Sequence, residues 1–402
     1  MNTLRAENAR IQFVMAAVAI GFLAAFLIGP AARAAEPYEV PVILPLTGGG
    51  SFIGASAKAN YEAIEAGIDQ AGGVDGRPIH FRFYDDQTNP QLDVQLASQA
   101  IADRPVIILG SLIVGLCNAM APLMRDGPVM YCLSPSFVPA KDGYTFSAGT
   151  ATNDQVAAIV RYMRMKGWTK LGVLNGIDAT GQNADKAIAR ALALPENRGV
   201  TIVENQHFNP TDLSVAAQVE SIKNSGAQAM IAWTTGAPVA TVFKAMIQAG
   251  LEIPVGTSSG NQTYAQMKQY ADFLPKQLLI GSALFPAHDG IVSLDPRVEQ
   301  AQHNMVARLE AHDLKPDIST ATVWDTALIL VAGLRKLGPG ATAAQLRDYI
   351  AGLTDFPGID GIYDFKKYPD RGLGPDACTV VTWDAKGKRW VWLSQPGGAP
   401  LP

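Results

Sequence analysis

Residues 106–137, VIILGSLIVGLCNAMAPLMRDGPVMYCLSPSF, hold two short apolar runs separated by one amphipathic segment. Val106 to Leu109 is too short for a helix, rich in β-branched residues and stopped by Gly110-Ser111, the pattern of a strand buried on both faces that opens into a loop. The spacing predicts a helix from about Gly115 to Arg125, ended by Gly127-Pro128. A second buried strand, Val129 to Leu133, then delivers Ser134-Pro135-Ser136-Phe137 to the same edge. Two strand ends face one crevice. In parallel α/β sheets ligands bind just outside the carboxyl ends of strands, beside helix N-termini.

The alternation continues on both sides of this unit. Upstream, Val40 to Leu46 reads as a strand, Thr47 to Ser51 as a glycine-rich turn, Phe52 to Gly72 as a helix and Ile79 to Tyr84 as a strand. Thr88 or Asn89 can cap the next helix, which has Pro90 in its first turn and continues from Gln91 to Ile101. Such a β-α-β-α-β-α-β series requires a parallel sheet with right-handed crossovers. Downstream, the extended small-residue stretch Tyr144 to Thr150 reads as a hinge crossing. A second series follows: helices Asp154–Lys166, Gly181–Ala193, Leu213–Asn224 and Val239–Ala249 alternate with strands Leu171–Leu174, Val200–Gln206, Ala229–Trp233 and Pro254–Gly256. Leu278 to Phe285 is a return strand, helices are expected near 296–311, 321–337 and 343–351, and strand-like runs at 361–365, 378–383 and 390–393 close the chain. Two similar α/β lobes, crossed more than once by the chain, therefore bound a cleft.

Residues 1–34 are of another kind. Arg5 and Arg10 precede an apolar run from Ile11 to Ile28, and Ala32-Arg33-Ala34 supplies small residues for cleavage, which is the make-up of a secretory signal peptide. An uncleaved anchor is the alternative, because the run approaches the ~20 residues that span a bilayer. Losing residues 1–34 removes three arginines and one glutamate, so the net charge moves from −4 to −6. With 402 residues, 48% hydrophobic and 17% charged, the chain has ample material for a packed core, and no basic run tracks phosphates. Nucleic acid is not an expected partner.

Cys117 on the predicted helix and Cys132 on the following strand can meet in a disulfide, as an exported protein allows; two buried thiols are the other reading. Cys378 stands apart. The five histidines, 80, 207, 288, 303 and 312, form no pair at ligand spacing, so no metal and no cofactor are expected. The turn Thr47 to Ser51 lacks the lysine of a phosphate loop, since Lys58 lies well into the helix. Gly256-Thr257-Ser258-Ser259-Gly260 matches the nucleophile-elbow pattern of hydrolases. A triad would then need Asp289, Asp295 or Asp325 and a late-loop histidine, and no histidine stands in such a loop. The same five residues make a ligand loop rich in hydroxyls and N–H groups. Asp178 is either a ligand partner or a solvated loop acid, and Trp233 either lines the cleft or packs in the core.

Several motifs together resemble the periplasmic solute-binding proteins of leucine/isoleucine/valine-type ABC importers. They are the leader, Pro45-Leu46-Thr47-Gly48, the Gly72 to Pro78 segment GGVDGRP, Asp85-Asp86 with Pro90, and Ser134-Pro135 after the fourth strand, within a similarity running from about Glu39 to Leu393. The resemblance implies a type I binding protein, an α/β chain of two doubly wound, Rossmann-like lobes joined by a three-segment hinge, and no catalysis. It divides the chain into residues 35–149 plus 281–358 for the first lobe and 150–280 plus 359–402 for the second, with crossings near 147–150, 281–285 and 358–362. It also implies a small-molecule ligand, an inner-membrane ABC permease as partner, a periplasmic location and a monomer.

Its landmarks place ligand contacts at Ile113, Val114 and Gly115, at Ser136 and Phe137, and in the second lobe at Thr180, Thr235 and Ser258. Here the chain departs from amino-acid-binding members: hydrocarbon replaces their hydroxyl run after the third strand, and Ser258 falls on or next to the acid that receives an α-ammonium group. Phe52, Asp178 and Trp233 complete the candidate set. The expected ligand is a small apolar organic acid, an aromatic carboxylate first, with neutral donors and helix N-termini holding the acid. A branched-chain amino-acid or amide binder is the alternative, and a serine hydrolase using Ser258 or a sensory ligand domain the more remote ones.

Overall fold

A computed structural model describes residues 36–285, 294–369 and 371–401. The expected signal peptide, residues 1–34, lies outside the described residues.

The first sheet is built by β1 (Tyr38–Leu44), β2 (Ile79–Asp85), β3 (Ile107–Gly110), β4 (Val129–Cys132) and β5 (Thr145–Ser147), all parallel, in the order β2-β1-β3-β4-β5. Helices α1 (Ser51–Gln70), α2 (Pro90–Ala102) and α3 (Val114–Met120) make its crossovers. On β1 the alternation decides which face each residue serves. Val40, Val42 and Leu44 join the large core with Ile53, Tyr61 and Ile64 of α1, while Ile43 joins a smaller core on the opposite face. Both faces are covered, which is why these strands are apolar throughout. Pro122 converts the end of the predicted Gly115 to Arg125 helix into a short 3-10 turn over Ala121–Met124.

The second half continues with α4 (Thr152–Met165), β6 (Lys170–Gly176), α5 (Ala179–Ala193), β7 (Thr201–Phe208), α6 (Ala216–Asn224), β8 (Ala229–Trp233), α7 (Pro238–Ala249), β9 (Val255–Thr257), α8 (Tyr264–Gln269) and β10 (Leu278–Ala283). Its strands β7-β6-β8-β9-β10 repeat the order of the first sheet. Each sheet therefore has a switch point, between β1 and β3 and between β6 and β8, where loops diverge and leave a crevice.

The chain then returns to the first lobe with α9 (Pro296–Glu310), α10 (Ile318–Leu337) and α11 (Ala343–Gly352) and a small hairpin of β11 (Phe356–Pro357) and β12 (Ile362–Tyr363). The closing strands extend the second sheet: β13 (Cys378–Asp384) pairs antiparallel with β10, and β14 (Arg389–Trp392) antiparallel with β13. Helix α10 is long and apolar enough to cross a membrane, yet 83% of that window is buried inside the protein. It packs along α1 and starts at an Asp317–Thr320 capping box.

Three elements differ from the sequence reading. Thr145–Ser147, expected as a hinge crossing, is the fifth strand of the first sheet and wholly buried. The helix expected from Leu213 starts at Ala216, because Asn209 and Asp212 close a turn before it and Leu213 is 99% exposed. Buried Ile359, Tyr363, Phe365, Leu373 and Ala377 keep the chain in the first lobe's core, so the last passage to the second sheet falls at Ala377–Cys378, later than the expected 358–362.

The lobes touch directly. Ala237 N–H donates to the Gly49 carbonyl (3.1 Å), Asn183 Nδ2 to the Ser136 carbonyl (3.2 Å), and the Phe52 ring meets Tyr270 edge-on at 5.9 Å. Arg371, 7% exposed, ties the returning segment to this junction by donating to the Phe137 (3.0 Å) and Gly149 (3.4 Å) carbonyls.

Cys117 and Cys132 form a disulfide between α3 and the end of β4, and Cys378 is a buried thiol. Denatured, unreduced protein should titrate one thiol of the three cysteines; three titratable thiols would rule the bond out. Replacing both cysteines by serine should cost about 3 kcal/mol in denaturant unfolding, the loop-closure value for a span of this length.

Candidate functional site

On the first lobe the cleft is edged by the turn after β1, and Asp85 fixes that turn. Its Oδ1 accepts N–H groups of Leu46 (3.0 Å), Thr47 (3.1 Å) and Gln87 (2.9 Å), and its Oδ2 the Thr47 hydroxyl (2.8 Å). Partial burial alone would raise the Asp85 carboxyl, but these donors outweigh it and hold it below its ordinary value. Thr88 adds a second tie by donating to the Thr47 carbonyl (3.1 Å) and accepting from Gly50 N–H (3.1 Å). Gly50 has no side chain for a reason: a Cβ there would lie 2.7 Å from Ile113 Cδ1. Ile113 precedes α3 and packs half-buried over this turn, while Gly115 borders open space.

At the end of β4, the Ser136 hydroxyl shares a hydrogen bond with Thr152 Oγ1 (2.7 Å), and its carbonyl receives Asn183 from the other lobe. Val114 and Phe137 are buried together in the core around Cys117 and Cys132, with Ala179 of α5 packed against that core. They support the rim from beneath.

In the second lobe, Thr235 and Ser258 meet through their hydroxyls at 3.1 Å, and Ser258 also accepts Gly260 N–H (3.2 Å). Asn261 organises the surrounding backbone. Its Oδ1 accepts Gly236 N–H (2.9 Å) while its Nδ2 donates to the Thr234 carbonyl (2.8 Å) and Thr257 Oγ1 (3.0 Å). Gln266 Nε2 reaches Asn261 Oδ1 at 3.3 Å. Neither residue stands out in the sequence; the polar run SSGNQT over 258–263 is the only signal of them.

Two candidates have structural roles. Asp178 is exposed and caps α5, its Oδ1 accepting Gly181 N–H (3.0 Å). Trp233 is 1% exposed among Ile159, Ala184 and Leu279, so its ring packs in the core; its backbone N–H meets Asn175 Oδ1 (3.1 Å). Thr180, in the first turn of α5, is 5% exposed.

Three N–H groups at the cleft edges are engaged. Gly181 serves Asp178, Ala237 serves Gly49, and Gly50 serves Thr88. A cavity of about 600 Å³ opens between the lobes beside Phe52, bounded by Leu46, Ser56 and Asp317 on one side and Thr263 and Tyr264 on the other. The sequence reading named Phe52 alone of these.

The hydrolase reading fails on geometry. Ser258 is bonded to Thr235 and Gly260, whereas His207 pairs with Asp185 (2.9 Å), His80 with Glu65 (3.4 Å), and His303 and His312 are exposed on and after α9. Asp325 is buried in the first lobe, accepting from Ile359 N–H, Asp360 N–H and Tyr363, and Asp295 pairs with Arg297. His288 and Asp289 lie outside the described residues.

Residues 37–388 match the sequence profile of the family described as periplasmic binding protein. A curated relative, Leu/Ile/Val-binding protein homolog 3 of Brucella melitensis, is 24% identical over 364 residues, covering 89% of this chain and 94% of that one. Among solved structures, an extracellular ligand-binding receptor from Rhodopseudomonas palustris HaA2 superposes with a TM-score of 0.78 at 16% identity, covering 89% of this chain and 99% of its own. The branched-chain amino acid transporter substrate binding protein LivJ from Streptococcus pneumoniae, in complex with isoleucine, gives 0.73 at 13% identity over 89% and 99%. Two lobes of like topology, facing loop edges and these matches converge: the chain belongs to the periplasmic binding protein family, of type I and Leu/Ile/Val-binding-protein-like, whose members are solute-binding proteins of ABC transporters and not enzymes.

Proposed function

We propose that this protein captures a branched aliphatic solute with an uncharged, amide-like head between its lobes and presents it to an inner-membrane permease. One observation carries the head group: the side chains that meet at the cleft edges, Thr235 with Ser258 and Ser136 with Thr152, are neutral hydroxyls that both donate and accept. An ammonium group seated against those hydroxyl pairs would be desolvated with no carboxylate bonded to either pair, at a cost of several kcal/mol. A carboxylate finds three of the edge N–H groups, those of Gly181, Ala237 and Gly50, already engaged, and the amide is therefore placed ahead of the aromatic acid. The relatives named for leucine, isoleucine and valine support a branched aliphatic body, and Phe52, Ile113 and Leu46 offer it apolar surface. The proposal includes action in the periplasm, as a monomer released from its leader, and the family match supports the periplasmic setting.

Calorimetry should therefore give tighter binding of isovaleramide than of leucine, isovalerate or benzoate. Tightest binding of leucine would replace the amide by the zwitterion; tightest binding of benzoate would restore the aromatic acid. Removing the Ser258 hydroxyl (Ser258→Ala) should weaken the amide by about five- to tenfold, the worth of a hydrogen bond of about 1–1.5 kcal/mol.

Closure is the second test. Gly236 has φ +84°, and a Cβ there would overlap the Gly49 carbonyl of the opposite lobe. Saturating ligand should compact the wild-type protein in small-angle scattering, whereas Gly236→Ala should stay open and bind about tenfold more weakly or worse. Equal compaction of both would remove this contact from the closing mechanism.

A further inference from the structure

The first lobe's cleft loops rest on two buried carboxylates. Asp86, just past β2, is fully buried; its Oδ1 accepts Thr88 N–H (2.8 Å) and its Oδ2 the Ser111 hydroxyl (2.8 Å). Thr88 holds the turn from Thr47 to Gly50, and Ser111 begins the loop that carries Ile113 and Gly115. Asp93, in the first turn of α2, is equally buried, and neither of its oxygens has a hydrogen-bond partner among the described residues.

Among the described residues no cation offsets this pair. The charges that act on it are its own two carboxylates and, on Asp86, the neighbouring Asp85. Helix α3, packed on α2, has only Cys117 as an ionisable type, and that residue is in the disulfide; β1 carries Tyr38 and Glu39 at its far end. Two carboxylates buried together without a counter-ion cannot both be ionised at ordinary cost. Asp86 has the donors, so it keeps the charge, and Asp93 keeps the proton. Burial, and then the charge on Asp86, push the Asp93 carboxyl up to about 8, and burial raises Asp86 to about 6 against its two donors.

We propose that Asp93 is a positioning residue for the ligand loops: with its proton it leaves Asp86 free to grip Thr88 and Ser111, and on losing that proton in alkaline solution it sets a second buried charge beside Asp86 that loosens both loops and weakens capture. This rests on the interlobe cleft being the ligand site. The sign follows from linkage. The loop-holding form is the protonated one, so affinity is present at neutral pH and is lost as pH rises through the Asp93 titration, by up to about tenfold per pH unit. Stability moves the same way. An Asp titrating higher in the folded than in the unfolded chain makes the folded state bind more protons, so stability falls from the unfolded value of about 4 up to the folded value and then levels off.

The test compares wild type with Asp93→Asn, which keeps the shape and cannot ionise. Calorimetry with isovaleramide should show the wild-type Kd rising about tenfold between pH 7 and about pH 9.5, and the ratio for Asp93→Asn staying within about twofold. Carboxyl carbon NMR of the ligand-free wild type should show Asp93 titrating above neutrality. Normalised hydrogen exchange should quicken at 47–50 and 111–115 in alkali in wild type alone. Identical pH ratios in the two proteins, an Asp93 titration near 4, or loops indifferent to pH would each overturn the proposal. If isovaleramide fails to bind at any pH, the ligand reading falls, while the carboxyl titration and the loop exchange still decide the role of Asp93.

Discussion

A strand that ends at a binding edge must turn without a neighbour to satisfy its backbone, and in this protein the Asp85 carboxylate supplies that satisfaction for the first lobe. Four donors from both sides of the β1–β2 pair converge on it, from Leu46, Thr47 and Gln87. Unpaired, these groups would cost free energy wherever water is excluded. Paired, they fix where Gly48 to Phe52 lie, and hence which ring and which backbone carbonyl face the second lobe. Asp86, one residue on, points to the other side and holds Thr88 and Ser111, so adjacent acids set the two neighbouring loops of the switch point.

The second lobe solves the same problem with an amide. Asn261 both donates and accepts, which lets one side chain bind the Thr234 carbonyl, the Gly236 N–H and the Thr257 hydroxyl at once. Its grip presents Gly236 to Gly49. The contact between the lobes is then backbone-to-backbone, Ala237 N–H to the Gly49 carbonyl, made possible because Gly236 has no side chain to meet that carbonyl. The rim polarity that remains is carried by hydroxyls. On the proposed reading, a cleft so furnished would select for size and for hydrogen bonding over charge.

Further ionisable groups lie a layer deeper. Asp86 and Asp93 lie under the loops, and Asp325 grips the backbone of Ile359 and Asp360 in the first lobe's core. Buried acids of this kind carry backbone geometry at the cost of desolvation.

The sequence by itself determined the class of fold, because its evidence is local. Buried parallel strands must be apolar on both faces, as Val106–Leu109 and Val129–Leu133 are, and a chain that alternates such runs with amphipathic helices has few topologies open to it. The Cys117–Cys132 pairing was legible for the same reason: one short helix-to-strand connection brings the two together. Much of the site was not legible. Asp178 and Trp233 have the residue types of ligand contacts, and only tertiary structure shows one spent on a helix cap and the other on the core. Asn261 and Asp93 gave no pattern to read, since the ties of Asn261 to Thr234 and Gly236 and the burial of Asp93 are set by tertiary packing. Thr145–Ser147 looked like a linker because three small or aromatic residues show no period; pairing with β4 made it a strand. Local periodicity fixes elements, and the pairing of distant polar groups, which decides a binding edge, is settled only when the lobes are packed.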